Sequence, residues 1–405
     1  MPSTSVRTTR RGILALAGSS LLAGCSTFAA TAGPADHTDR SATAGQPLTD
    51  ADWPTFQHDA ARTGARSKAL PLGDAPTVLG GVYGGRSKPG GRGSTLAPIR
   101  AASSLYYTSG STVVRRDAPG VSSGARPWRA SLDRQMNDGA SVRKTPAADD
   151  ARVYVPAVNS LVALNRTDGS VAWHRHVGTP SSASPAIAAG TLYVAGNHVS
   201  ALSPATGRVR WSRETDQVTQ GIAVDGARVY VSLGSSGKGG LLALTSDGKE
   251  RWTRFDIGHV YAAPAVGPER VYVARRDGGL VALDPETGST RWTTGTGASP
   301  QTPSVADGLV FVTTGDGSVA AAYDAKSGRQ QWTVETGLSV TPPAVAGRTV
   351  YLGSTGDGLR AVDAATGETR WHRSAPSVES PLLLSDGGIA YVDSSDGGVH
   401  VVADG

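Results

Sequence analysis

The sequence predicts an all-β protein, an eight-bladed β-propeller of four-stranded antiparallel blades closed by an N-terminal strand. Three observations carry this. Seven tryptophans, Trp128, Trp173, Trp211, Trp252, Trp292, Trp332 and Trp371, recur at intervals of 38 to 45 residues. Each has a glycine four positions before it, from Gly124 and Gly169 through to Gly367. Between them stand strand-forming triplets such as Val271-Tyr272-Val273, followed by glycine turns, the order that a meander of hairpins requires.

Composition agrees with a turn-rich β chain. The 405 residues include 52 glycines, with 18% charged and 6% aromatic residues. The basic residues, 33 arginines and 6 lysines, form no stripe. Without Arg7, Arg10 and Arg11, which lie in a segment expected to be removed, 36 basic residues face 34 acidic ones. That near-neutral balance argues against a nucleic-acid partner.

The chain opens with Thr9-Arg10-Arg11-Gly12-Ile13-Leu14 and an apolar run to Leu22 that is too short to span a bilayer. This resembles a twin-arginine (Tat) export signal. The run ends in Leu22-Ala23-Gly24-Cys25, which is similar to the lipobox of bacterial lipoproteins. The resemblance implies a signal peptide over 1–24, with Cys25 acylated as the lipid anchor. It also implies an extracytoplasmic location at the cell membrane. A lone cysteine has no partner for an internal disulfide in any case. Residues 25–51 are mostly small and polar and are expected to form a flexible tether, with a mean span of roughly 25 to 30 Å. The propeller is expected over 52–405.

Each repeat reads as four short strands. A small-Pro-small step, as in Thr145-Pro146-Ala147, suits the start of a first strand, where a missing N–H does least harm. The triplet forms the second strand. Asp277-Gly278, Asp316-Gly317, Asp357-Gly358 and Asp396-Gly397 are dipeptides favoured by two-residue hairpins, which makes strands two and three antiparallel neighbours. A third strand such as Leu280-Val281-Ala282-Leu283 then turns into the tryptophan strand. Eight units follow from Pro98, Pro146, Pro185, a degenerate Thr219-Gln220-Gly221, Pro264, Pro303, Pro343 and Pro381. The last unit ends before any tryptophan strand, and residues 76–83 are assigned that place. One such sheet buries too little to persist alone, and no polar caps suggest an open stack, so a closed ring is expected.

The units resemble the tryptophan-docking repeats of the PQQ-like β-propeller family, which sets Ala, Asp, Thr-Gly and Trp in order; Ala282 to Trp292 and Ala361 to Trp371 show this best. Trp53 to Gly64 is similar to the opening segment of that family. The likeness points to its BamB-like lipoprotein branch rather than to the quinoprotein dehydrogenases. It implies that each of the seven tryptophans is a structural docking residue against a neighbouring blade.

Sites of chemistry are scarce. Quinoprotein dehydrogenases, as the family is known, usually carry a vicinal cysteine pair, a calcium site and long insertions, whereas this chain has no second cysteine and its units run with almost no insertions. His174 and His176 share one strand face without a third metal ligand nearby in sequence. Gly234 to Gly239 lacks the spacing of a phosphate loop. Gly80 to Ser94 reads as a loop, and Asn165-Arg166-Thr167 is a sequon on a turn. No catalytic residue, cofactor or metal is assigned. The expectation is a monomeric, non-enzymatic scaffold that binds a protein or envelope ligand on one face and the membrane through Cys25. The alternatives are a PQQ-dependent oxidoreductase and a small-ligand sensor using the central channel.

Overall fold

The computed structural model describes residues 48–404 except 50–51, 60, 71, 74–75, 84–95, 119–125, 134–141, 143, 159, 178–182, 216, 236–237, 298–299, 315–318, 338–340, 375–376 and 394. Cys25, the signal segment, nearly all of the tether and most of Gly80 to Ser94 lie outside the described residues.

Eight sheets form the ring. Blades 1 to 7 occupy 99–131, 147–176, 186–214, 219–254, 265–295, 304–335 and 344–373, and blade 8 combines 383–403 with Thr77–Tyr83. Blade 5 shows the pattern, with strands Ala265–Val266, Val271–Ala274, Gly279–Leu283 and Thr290–Gly295 in antiparallel order. Its first three strands are buried at every residue because both faces of the sheet are covered by neighbours. The outer strand alternates between exposed and half-buried residues. Innermost strands meet from blade to blade in sequence order, and that of blade 1 meets that of blade 8, so the ring closes.

Closure uses both ends of the propeller, as the sequence predicts. Thr77–Tyr83 pairs antiparallel with Val399–Ala403, aligning Thr77 with Ala403 and Val78 with Val402. Arg373 of blade 7 donates from Nε and Nη2 to the Pro76 carbonyl at 3.0 and 2.6 Å, fixing the incoming strand to its neighbour.

The expectation for the Asp-Gly turns needs correction. Strands two and three are antiparallel neighbours in every blade, but three- and four-residue loops join them at the sites of blades 5, 7 and 8, and Asp316-Gly317 lies outside the described residues. In blade 7, Ser354 pairs with Gly358 across three residues, and in blade 8 the Asp393 and Gly398 backbones close a four-residue loop. Gly278, Gly358 and Gly397 have positive φ, whereas the preceding aspartates do not. This matches loops in which one left-handed residue follows an ordinary turn. The degenerate start of blade 4 has a packing cause: a Cβ on Gly221 would lie 2.4 Å from Ala263 Cα of blade 5.

Candidate functional site

The repeated tryptophans sit at the joints between blades. Each stands beside the aromatic residue of its own second strand, from Tyr106–Trp128 to Tyr351–Trp371, at ring separations of 5.8 to 6.1 Å. From blade 1 to blade 6 the indole Nε1 donates to a turn carbonyl in the following blade: Arg166, Pro204, Ser246, Pro285, Ala325 and Ala364. Trp371 lies in one apolar cluster with Leu383 and Tyr391 of blade 8. Trp211 and Trp292 are half-buried and the other five are buried. The repeat aspartate organises the same turn: Asp284 accepts from the Glu286 and Thr287 amides and pairs with Arg291.

Residues 53–66 run across the ring axis and bond to every blade. Trp53 exchanges two backbone hydrogen bonds with Arg100 of blade 1, and the Pro54 carbonyl accepts from Ala148 of blade 2. Thr55 Oγ1 donates to the Pro185 carbonyl of blade 3 at 3.0 Å. The carbonyls of Ala61, Thr63 and Gly64 accept from Val266, Val305 and Val345 of blades 5, 6 and 7. Ala65–Arg66 adds a parallel strand to the inner edge of blade 7, and Arg66 pairs with Asp386 of blade 8 at 2.6 Å.

Arg62 anchors this crossing. It is 1% exposed and its five N–H groups reach the carbonyls of Ile222 in blade 4 and Ser184 and Pro185 in blade 3, the Phe56 carbonyl and Thr55 Oγ1, at 2.6 to 2.9 Å. Desolvation by burial lowers its pKa to about 10, a loss that nearby Asp59 partly offsets.

Above this floor lies an axial cavity of about 390 Å³, lined by residues from all eight blades together with Phe56 and Arg62. Its wall carries Lys144, Gln220, Gln301, Thr302 and Glu379, and Tyr261 stands at the mouth. Burial lowers the pKa of Lys144. The cavity is lined mainly by the inner ends of the connections that run from the outer strand of one blade to the inner strand of the next. They carry three of the four large apolar side chains that are exposed among the described residues: Val218 at 49%, Phe255 at 51% and Tyr261 at 42%. The fourth, Val209, opens the outer strand of blade 3. The Arg276 guanidinium covers the Tyr261 ring at 5.1 Å, and His259 stacks beside it at 6.2 Å.

With this geometry in view, comparison with known proteins is decisive for the family. A family model described as outer membrane protein assembly factor BamB matches residues 109–255, 195–302 and 254–403. The chain belongs to the BamB family. It is 30% identical over 180 residues to the outer membrane protein assembly factor BamB of Burkholderia pseudomallei, covering 43% of this chain and 45% of that protein. It is 29% identical over 168 residues to that of Yersinia pestis, covering 36% and 42%. The chain thus spans under half the length of the curated relatives it matches. BamB from Moraxella catarrhalis superposes with a TM-score of 0.64 at 18% identity, over 81% of this chain and 98% of that one. Quinohemoprotein alcohol dehydrogenase from Comamonas testosteroni superposes at 0.68 with 15% identity, over 87% and 80%. At such identities these structures share the fold alone.

For a BamB-family propeller, the axial residues do not suit the metal that accompanies PQQ. The floor is filled by Arg62 and Phe56, and Glu379 is the single acid of the lining. Among the described residues no group of three or more His, Cys, Asp or Glu is placed to hold a metal ion. His174 and His176 are exposed on one strand face, opposite buried Trp173. The glycines after Gly234 have a steric cause: a Cβ on Gly239 would lie 2.6 Å from His259 Cα, and one on Gly240 would lie 2.1 Å from the Arg254 carbonyl oxygen. Asn165 is buried and donates to Ser170 Oγ, which makes the sequon a turn element. The crossing segment and the exposed rim went unread in the sequence. A single, unrepeated stretch offers no period, and the one available signal was the likeness of Trp53 to Gly64 to the family's opening segment.

Proposed function

We propose that this BamB-family chain is an exported lipoprotein whose propeller is a non-catalytic scaffold for a protein partner of the cell envelope. Residues 1–24 are its signal peptide, Cys25 its lipid anchor at the membrane, 25–51 its tether and 52–405 its monomeric binding domain. The family and the relatives named for outer membrane protein assembly support this reading. The observation that carries it is that three of the four exposed large apolar side chains among the described residues, Val218, Phe255 and Tyr261, lie in the connections between blades 3 and 4 and between blades 4 and 5, since exposed apolar surface marks interaction sites. Photo-crosslinking from position 255 in native envelopes tests the surface, with position 209 as control. Specific adducts from 255 and none from 209 are expected; equal or absent labelling at both contradicts it. Cys25→Ser should release the chain into the soluble fraction, and retention in the membrane would end the anchor assignment.

A further inference from the structure

We propose that the axial cavity binds a small polar ligand bearing a carboxylate or phosphate group, with the Lys144 ammonium as its ion-pair partner. This goes beyond the scaffold role and concerns the interior of the cavity, which shares only Tyr261 with the proposed docking residues. The cavity, at about 390 Å³, lies within the roughly 300–1,000 Å³ typical of ligand pockets and opens to solvent at its mouth. Two cations, Lys144 and Arg62, face it against one acid, Glu379, whose residue is exposed.

The two cations differ in what they have left to give. All five Arg62 N–H groups are already committed to protein oxygens, so the floor supplies positive charge without a vacant donor. Lys144 makes no hydrogen bond or ion pair with any described residue, so none of its three donors is committed among them. Burial disfavours the charged form of each. An anion between them relieves that desolvation twice over, because the attraction is strongest where water is excluded. The remaining wall is uncharged: Gln220 and Gln301 donate and accept through their amides, and Thr302 adds a hydroxyl. Such a wall suits a ligand with hydroxyl or amide groups besides its anion. It suits poorly a hydrophobic ligand, which would strand these groups.

The test is calorimetric titration of the full chain at low salt with citrate and, separately, with inorganic phosphate. Saturable binding of one or both is expected, and the arm that responds identifies the anion class. Lys144→Met should weaken it at least tenfold, Lys144→Arg should retain it, and Lys326→Met, an exposed control, should leave it unchanged. If Lys144→Met does not fold, Lys144→Gln replaces it. Binding of neither anion by the wild-type chain, or undiminished binding by the Lys144 variants, overturns the proposal. Crosslinking from position 255 should be indifferent to Lys144→Met, so failure here is separable from failure of the scaffold reading.

Discussion

The indole of Trp332 in blade 6 rests on Gly367 in blade 7: a Cβ at residue 367 would stand 2.8 Å from the ring, and Nε1 donates to the Ala364 carbonyl of the same turn at 2.9 Å. The same relation links Trp128 to Gly169, Trp173 to Gly207, Trp211 to Gly248, Trp252 to Gly288 and Trp292 to Gly328. From Gly169 to Gly367, the glycine four residues before a tryptophan therefore serves the tryptophan of the preceding blade. Blades 2 to 6 each carry half of two such joints.

Trp332→Ala should destabilise the ring by about 3–5 kcal/mol in urea unfolding, as for a buried large aromatic. Trp292→Ala should cost less, because Trp292 is half-buried. Equal losses would separate stability from burial at the joint.

Gly367→Ala should destabilise too, by about 1–3 kcal/mol from backbone strain at φ +76°, with a further loss from displacing the indole. A neutral substitution would show that the ring does not rest on this glycine.

Arg62→Met should lower stability by more than the roughly 1–3 kcal/mol lost when one buried acceptor goes unsatisfied, since the carbonyls of Ile222, Phe56 and Ser184 lose this donor together while Pro185 keeps Thr55. Arg62→Lys should rescue little, because an ammonium has three donors and no planar fork. Thermal unfolding of both variants checks this, and wild-type stability in either contradicts it.

Alkaline pH should unfold the protein. Burial pushes the phenols of Tyr272 and Tyr351 up to about 12, and those of Tyr154, Tyr230 and Tyr391 further. An unfolded chain releases these protons near pH 10, whereas the native state keeps them. Their contribution is therefore complete below pH 10 and is lost as pH rises through 12. Tyrosinate absorbance should rise together with unfolding in that window; titration at pH 10 with the fold intact would contradict it.

The ring was legible because its physics repeats. Every unit needs a strand triplet, a turn glycine and an indole, so Val271 to Trp292 announces its own structure, and the missing outer strand of the last unit points to residues 76–83. The axial crossing was not legible, because its bonds run mainly through backbone carbonyls that any residue supplies. Its path depends on positive φ at Gln57, His58 and Arg62, which the residue types do not signal. The cavity was hidden for a related reason. Lys144, Gln220, Gln301 and Glu379 lie at the starts of four separate blades, and only ring closure brings them together.

Hydrogen exchange of the full chain tests ring closure most directly, through the paired strands Thr77–Tyr83 and Val399–Ala403. Both should exchange at the same slow rate, set by global unfolding, and deletion of 76–83 should deprotect Val399–Ala403. Free-chain exchange of 77–83 beside a protected 399–403 would mean that the two ends do not share a blade.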